Sequence, residues 1–236
     1  MKLLIDAGNT ALKMMLTSGL ETGQDIQLQH VEPQVVPWTQ IEEVVISAVA
    51  DSDALSALVK EAETQGVGVR RAAVTAKWQQ LNCAYDKYST LGIDRWLAVI
   101  AGYCTNPNGY TLVVDAGTAL TLDLIDDAHQ HLGGYILPGL TLSEHSIVSR
   151  AEKVFTLEDQ VASPEPGRST PAAVKNGALI GALGAIEYVL AHHCCGQGVQ
   201  LLITGGDGLA LHQHLGQGIY RPHLVFEGLW QWQKQG

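Results

Sequence analysis

Ile5-Asp6-Ala7-Gly8-Asn9-Thr10-Ala11-Leu12 and Val114-Asp115-Ala116-Gly117-Thr118-Ala119-Leu120 align with a gap at Asn9, identical except that Ile5 stands against Val114. In each copy an apolar run ends on aspartate, turns at glycine and re-enters an apolar run. Lys2 to Asp6 and Ala11 to Thr17 flank the first turn, and Tyr110 to Asp115 and Leu120 to Ile125 flank the second. Gly-Asn supplies hairpin chemistry to the first. A spacing of about 110 residues is too long for a solenoid unit. It predicts duplication of a whole domain, with a ligand between the copies. The repeated Asp-Ala-Gly-Thr is short, and chance similarity is the competing reading.

Working outward, Glu43 to Ala50 reads as a buried strand and Asp53 to Gln65 as a helix capped by Asp51 or Ser52. Val67 to Val74 reads as another strand. In the second half, Gly134 to Leu137 and Val199 to Thr204 read as strands. Thr170 to His192 reads as a long helix with Pro171 in its first turn, and Leu209 to Leu215 as a short one. Alternating strands and helices predict an α/β protein divided near residue 105, with domains at 1–105 and 106–236.

Composition narrows the function. Fourteen Lys and Arg stand against 24 Asp and Glu in 236 residues, a formal charge of -10. That balance disfavours nucleic acid and anionic membrane as general partners. The start, MKLLIDAGNT, lacks a signal peptide's apolar region, and no uninterrupted apolar run approaches the roughly 20 residues that span a bilayer. A soluble cytoplasmic protein is expected. Cys83, Cys104, Cys194 and Cys195 include no CxxC pair, so reduced thiols are expected. His192 to Cys195 are consecutive, so on a helix they point in different directions and do not converge on one ion.

A turn of the form DxGNT leaves backbone N–H groups and a small hydroxyl open to a phosphate. Asp6 would then hold magnesium, directly or through water, while the loop and Lys13 meet phosphate oxygens. Taken alone, the stretch is equally an ordinary hairpin with an exposed lysine. The second turn favours the phosphate reading, with two turns gripping a nucleotide's phosphate chain from both sides. Thr204-Gly205-Gly206-Asp207-Gly208 after a late strand can accommodate the adenosine end. In Ser89-Thr90-Leu91-Gly92-Ile93-Asp94-Arg95-Trp96, Ser89 or Thr90 can cap a helix whose first turn holds Asp94. Read locally, Asp94 compensates the helix dipole and Arg95 is a surface partner. Beside phosphate turns, the pair instead supplies a base for a hydroxyl and a cation for an anion.

This three-part arrangement resembles the actin, sugar kinase and Hsp70 superfamily. DAGNTALK at 6–13, GIDRW at 92–96, DAGTALT at 115–121, GGYILPG at 133–139, RST at 168–170, TGGDG at 204–208 and LVFEGL at 224–229 resemble, in order, the motif series of type III pantothenate kinases. The resemblance implies duplicated ribonuclease-H-like (actin-like ATPase) domains, each a mixed sheet with flanking helices. It implies that Asp6, Ala7, Gly8, Asn9, Thr10, Ala11, Leu12, Lys13 and Thr118 contact ATP. Tyr85, Gly92, Ile93, Asp94, Arg95 and Thr170 would line the pantothenate site. Asp94 would be the proton acceptor, and Asp115 would hold a monovalent cation, potassium or ammonium. A homodimer is implied, with the substrate pocket close to the subunit boundary. One stretch departs from the pattern: Leu140 to Val154 carries Ser143-Glu144-His145-Ser146 where a more apolar helix is expected. A kinase for another small hydroxyl substrate and a non-enzymatic regulator are the rival readings.

Overall fold

The computed structural model describes residues 1–8, 10–22, 25–157, 159–193 and 198–235. The chain divides into two compact units. Unit 1 comprises Met1–Pro107, His129–His131 and His223–Gly236, and unit 2 comprises Asn108–Ala128 and Leu132–Pro222. The first boundary between them follows Pro107, and the C-terminal segment returns to unit 1.

Unit 1 is built on strands β1 (Lys2–Ala7), β2 (Leu12–Thr22), β3 (Asp25–His30) and β4 (Glu43–Ala48), then helix α1 (Asp53–Thr64) and strand β5 (Gly68–Arg71). Among the described residues its sheet runs β3-β2-β1-β4-β5, with β1 antiparallel to β2 and parallel to β4. The unbroken apolar run Leu3-Leu4-Ile5 is fully buried, as befits a central strand covered on both faces. Ser52 caps α1, its hydroxyl accepting from Leu55 N at 3.2 Å; of the two expected caps, this one forms. A small hairpin follows, β6 (Lys77–Trp78) and β7 (Leu81–Asn82), and then helix α2 (Ile93–Thr105).

In unit 2, β8 (Tyr110–Ala116), β9 (Ala119–Ile125) and β10 (His131–Pro138) lead to helices α3 (Leu140–Val148) and α4 (Thr170–His193). Strand β11 (Val199–Thr204), helix α5 (Gly208–Leu215) and strand β12 (Ile219–Tyr220) complete it. Its sheet runs β10-β9-β8-β11-β12, with β8 antiparallel to β9 and parallel to β11. The two sheets therefore share one strand order, and the expected duplication is a duplication of topology. Helix α4 meets the length and composition of a membrane span, but Leu179, Leu183, Ile186 and Val189 are buried in the core of unit 2 with Leu112, Val114 and Leu122. The expected helix across Leu140 to Val154 stops at Val148 and contains no buried residue.

The last helix, α6 (Leu224–Gln233), packs on α2 within unit 1. A Cβ at Gly228 would collide with the carbonyl of Leu97. Only glycine therefore permits this backbone approach, which buries Leu224, Phe226, Leu229 and Trp230 at about 1.5–3 kcal/mol per large apolar side chain. Lys2 Nζ donates to Glu43 Oε2 at 2.7 Å and to Gln233 Oε1 at 2.5 Å. Arg70 Nη2 donates to the Gln233 carbonyl at 2.8 Å. These bonds fix the helix end to β1 and β5. Cys83 and Cys104 form no disulfide, and Cys194 and Cys195 lie outside the described residues.

Candidate functional site

Strand pairing places the first aspartate. Asp6, at the end of β1, stands opposite Lys13 on β2 and beside Ser47 on β4. Its Oδ1 is buried and has no hydrogen-bond partner among the described residues. Burial pushes the carboxyl up to about 6; the nearby Ser47 hydroxyl, not in hydrogen-bonding geometry, pulls it down, the Asp94 carboxylate raises it and Lys13 lowers it. The turn is closed by Gly8 N donating to the Ala11 carbonyl at 3.0 Å. Thr10, Ala11 and Lys13 are exposed, whereas Ala7 is buried in the core and Leu12 packs against it. Asn9 lies outside the described residues.

The GIDRW motif opens α2. Gly92 is its N-cap residue, with no side-chain cap, while Ser89 and Thr90 fall in a preceding 3-10 turn. The expected hydroxyl cap is thus corrected: Leu91 extends the backbone between that turn and α2. Asp94 sits in the first turn as expected, and its Oδ1 accepts from Arg95 N at 2.8 Å. A Cβ on Gly92 would lie 2.5 Å from this Oδ1, so glycine clears the carboxylate's position. Arg95 is only 7% exposed rather than a surface residue. Its Nη1 donates to the Tyr85 hydroxyl at 3.0 Å, and its guanidinium carbon lies 5.8 Å from the Tyr85 ring centre. Ile93 points into the core, leaving its backbone as the part a ligand can meet. Unit 1 therefore brings together Asp6, Lys13, Asp94, Arg95 and Tyr85.

Unit 2 repeats the construction. Asp115 is the penultimate residue of β8, in register with Thr121 on β9 and Thr204 on β11. Gly117 N donates to the Ala119 carbonyl at 3.0 Å, a turn one residue shorter than that of Gly8, as the gap at Asn9 requires. The TGGDG segment packs on this turn, with Asp207 N donating to the Ala116 carbonyl at 2.9 Å. Gly205 has φ +92°, and a Cβ there would lie 2.5 Å from Asp115 Oδ1, so both conformation and space demand glycine. The end of GGYILPG supports the turn from another side, as Gly139 N donates to the Thr118 carbonyl at 3.0 Å. Thr118 is exposed, as is Thr170, the first residue of α4.

The type III pantothenate kinase family model matches residues 2–192. A curated type III pantothenate kinase from Pseudoalteromonas translucida is 39% identical over 98% of this chain and 96% of its own. The chain belongs to the type III pantothenate kinases. Among solved structures, a Campylobacter jejuni protein described as a Baf family transcriptional activator is 23% identical, with TM-score 0.59 over 99% of this chain and 98% of that one. A Sinorhizobium meliloti protein described as a 2-dehydro-3-deoxygalactonokinase gives 0.52 at 13% identity, covering 100% and 99%. With the shared strand order, these likenesses bear out the actin-like ATPase fold of two ribonuclease-H-like domains.

Seen as a type III pantothenate kinase, the chain contains site neighbours that its sequence did not announce. Ser47 and Thr204 hold equivalent places beside the two aspartates; a lone hydroxyl within the apolar runs VVISA and LLIT was the available signal. His131 is 2% exposed and lies beside Tyr85 and Trp96. Nothing in its local sequence distinguishes it from a polar turn residue.

Proposed function

We propose that this type III pantothenate kinase uses ATP to phosphorylate the primary hydroxyl of pantothenate, giving 4'-phosphopantothenate at the start of coenzyme A synthesis. The observation that carries this reading is the gathering of Asp6 and Lys13 with Asp94, Arg95 and Tyr85 in unit 1. A phosphate-binding turn and a candidate base of suitable type belong to one folded body.

Asp94 receives the proton of the attacking hydroxyl. It is oriented by its bond to Arg95 N and given room by Gly92. Tyr85, Gly92 to Arg95 and Thr170 line the pantothenate site, with Arg95 a candidate partner for the substrate carboxylate. Asp6 to Lys13, with Thr118, contact ATP. The buried Asp6 Oδ1 without a hydrogen-bond partner fits a magnesium ligand, and bound magnesium would neutralise phosphate charge. Asp115, packed closely against Gly205, holds a monovalent cation, potassium or ammonium. Transfer then depends on positioning and charge stabilisation, with no covalent enzyme intermediate.

The proposal includes a cytoplasmic homodimer whose two domains correspond to 1–105 and 106–236, with α6 rejoining the first. Exposed Leu142 and Ile147 on α3, and Ile180 and Tyr188 on α4, supply an apolar surface suited to a second copy. The direct test is ATP-dependent formation of 4'-phosphopantothenate with magnesium and potassium present. No product, with product formed from another small alcohol, would reassign the substrate.

A further inference from the structure

We propose that His131 is a positioning residue for pantothenate, acting through Tyr85 and Arg95; the inference rests on the reading of those two as substrate contacts. Tyr85 is half-buried on an irregular segment between β7 and α2, where backbone hydrogen bonding does not fix its ring. Its hydroxyl receives Arg95 Nη1 at 3.0 Å. Behind it, the His131 ring lies nearly parallel, at 8° and 6.4 Å between centres. His131 also meets the fully buried Trp96 at 6.2 Å. These separations fall within the range of aromatic contact.

The support behind Tyr85 is itself anchored. Asn82 N donates to the His129 carbonyl at 2.9 Å, and Asn82 forms a β-bridge with Gln130. The His129 ring Nδ1 and the Tyr103 hydroxyl are hydrogen-bonded at 3.2 Å. Residues 129–131 are therefore held in unit 1 by backbone and side chain, and His131 reaches Tyr85 from a fixed base. A binding side chain on a loop needs such a locked neighbour to keep its geometry. Arg95 comes from the rigid start of α2, so its bond to Tyr85 has full directional value only when the ring stays in place.

Three variants and one double variant test this. His131→Ala removes the ring, His131→Leu keeps bulk without flatness, and His131→Phe keeps a flat ring. For Ala and Leu, the pantothenate KM should rise roughly 5- to 20-fold, with the ATP KM within about twofold. Phe should recover most of that loss. In a Tyr85→Ala background, His131→Ala should add less than about twofold, because both changes act through one ring. A full additional factor there, or equal effects on both substrates, overturns the proposal. Leu stands in if Ala fails to fold. A crystal structure of the Ala or Leu variant should show the Arg95–Tyr85 bond lost; retention at its present length overturns the proposal whatever the substrate. Wild-type protein that does not phosphorylate pantothenate would refute the functional reading alone, and the crystal structure would still decide the role of His131.

Discussion

A Cβ placed on Gly92 would stand 2.5 Å from Oδ1 of Asp94. The obstructing atom ends a short flexible side chain, so it is the carboxylate that would move. Gly92→Ala should therefore lower kcat about 10- to 100-fold, the effect of misplacing a reacting group by about 1 Å, with the melting temperature almost unchanged. A large drop in melting temperature would mean that the helix start, rather than Asp94, had been disturbed.

Asp94→Asn keeps the shape and the acceptor for Arg95 N but removes the basic carboxylate. Turnover should fall by roughly two to four orders of magnitude, while circular dichroism stays that of the wild type. Near-normal turnover in the folded variant would remove Asp94 from the base role.

Burial raises the Asp6 carboxyl from 3.8 to about 6. Between those values the folded protein binds more protons than the unfolded chain. The stabilisation from proton uptake is therefore complete below about pH 4 and is lost as pH rises through about 6. A shift of about two units corresponds to about 3 kcal/mol. Asp6→Asn should thus be more stable than wild type at pH 8 by about 1–3 kcal/mol, with the difference vanishing near pH 4, while phosphoryl transfer collapses. Urea unfolding of the ligand-free proteins at both pH values measures this, and coincident curves at pH 8 would show that the buried charge costs nothing.

Asp115 occupies in unit 2 the register that Asp6 occupies in unit 1, but magnesium and phosphate do not need two identical anionic sites. With magnesium constant, activity should be low in sodium and strongly raised by potassium or ammonium. Asp115→Asn should flatten that response. Equal wild-type activity with and without these ions would remove the cation from Asp115.

What the sequence showed and what it hid divide along physical lines. The turns at Asp6 and Asp115 were legible because glycine and a following small residue encode them locally, and duplication wrote the signal twice. The register that sets Ser47 beside Asp6 and Thr204 beside Asp115 depends on pairing between distant strands. Ser89 and Thr90 resembled helix caps because hydroxyls also suit the 3-10 turn they occupy. Arg95 looked like a surface cation, since its partner Tyr85 lies on an irregular segment whose placement the local helix pattern does not encode. His131 was silent, its place being fixed by Asn82 and its neighbours rather than by local sequence.

That late helix also sets the timetable of folding during synthesis. Helix α2, which carries Asp94, ends at Thr105, but its partner α6 is complete only at Gln233. At ribosomal rates of about 5–20 residues per second, the interval is roughly 6–25 s. Throughout it, the α2 surface later covered by α6 is open to water or to a chaperone. Residues of unit 2 emerge within that interval, so the helix that carries Asp94 is born early and sealed last. A ribosome stalled before Leu224 would hold a chain with the motifs GIDRW and DAGTALT already made, yet with the first domain still lacking its closing helix.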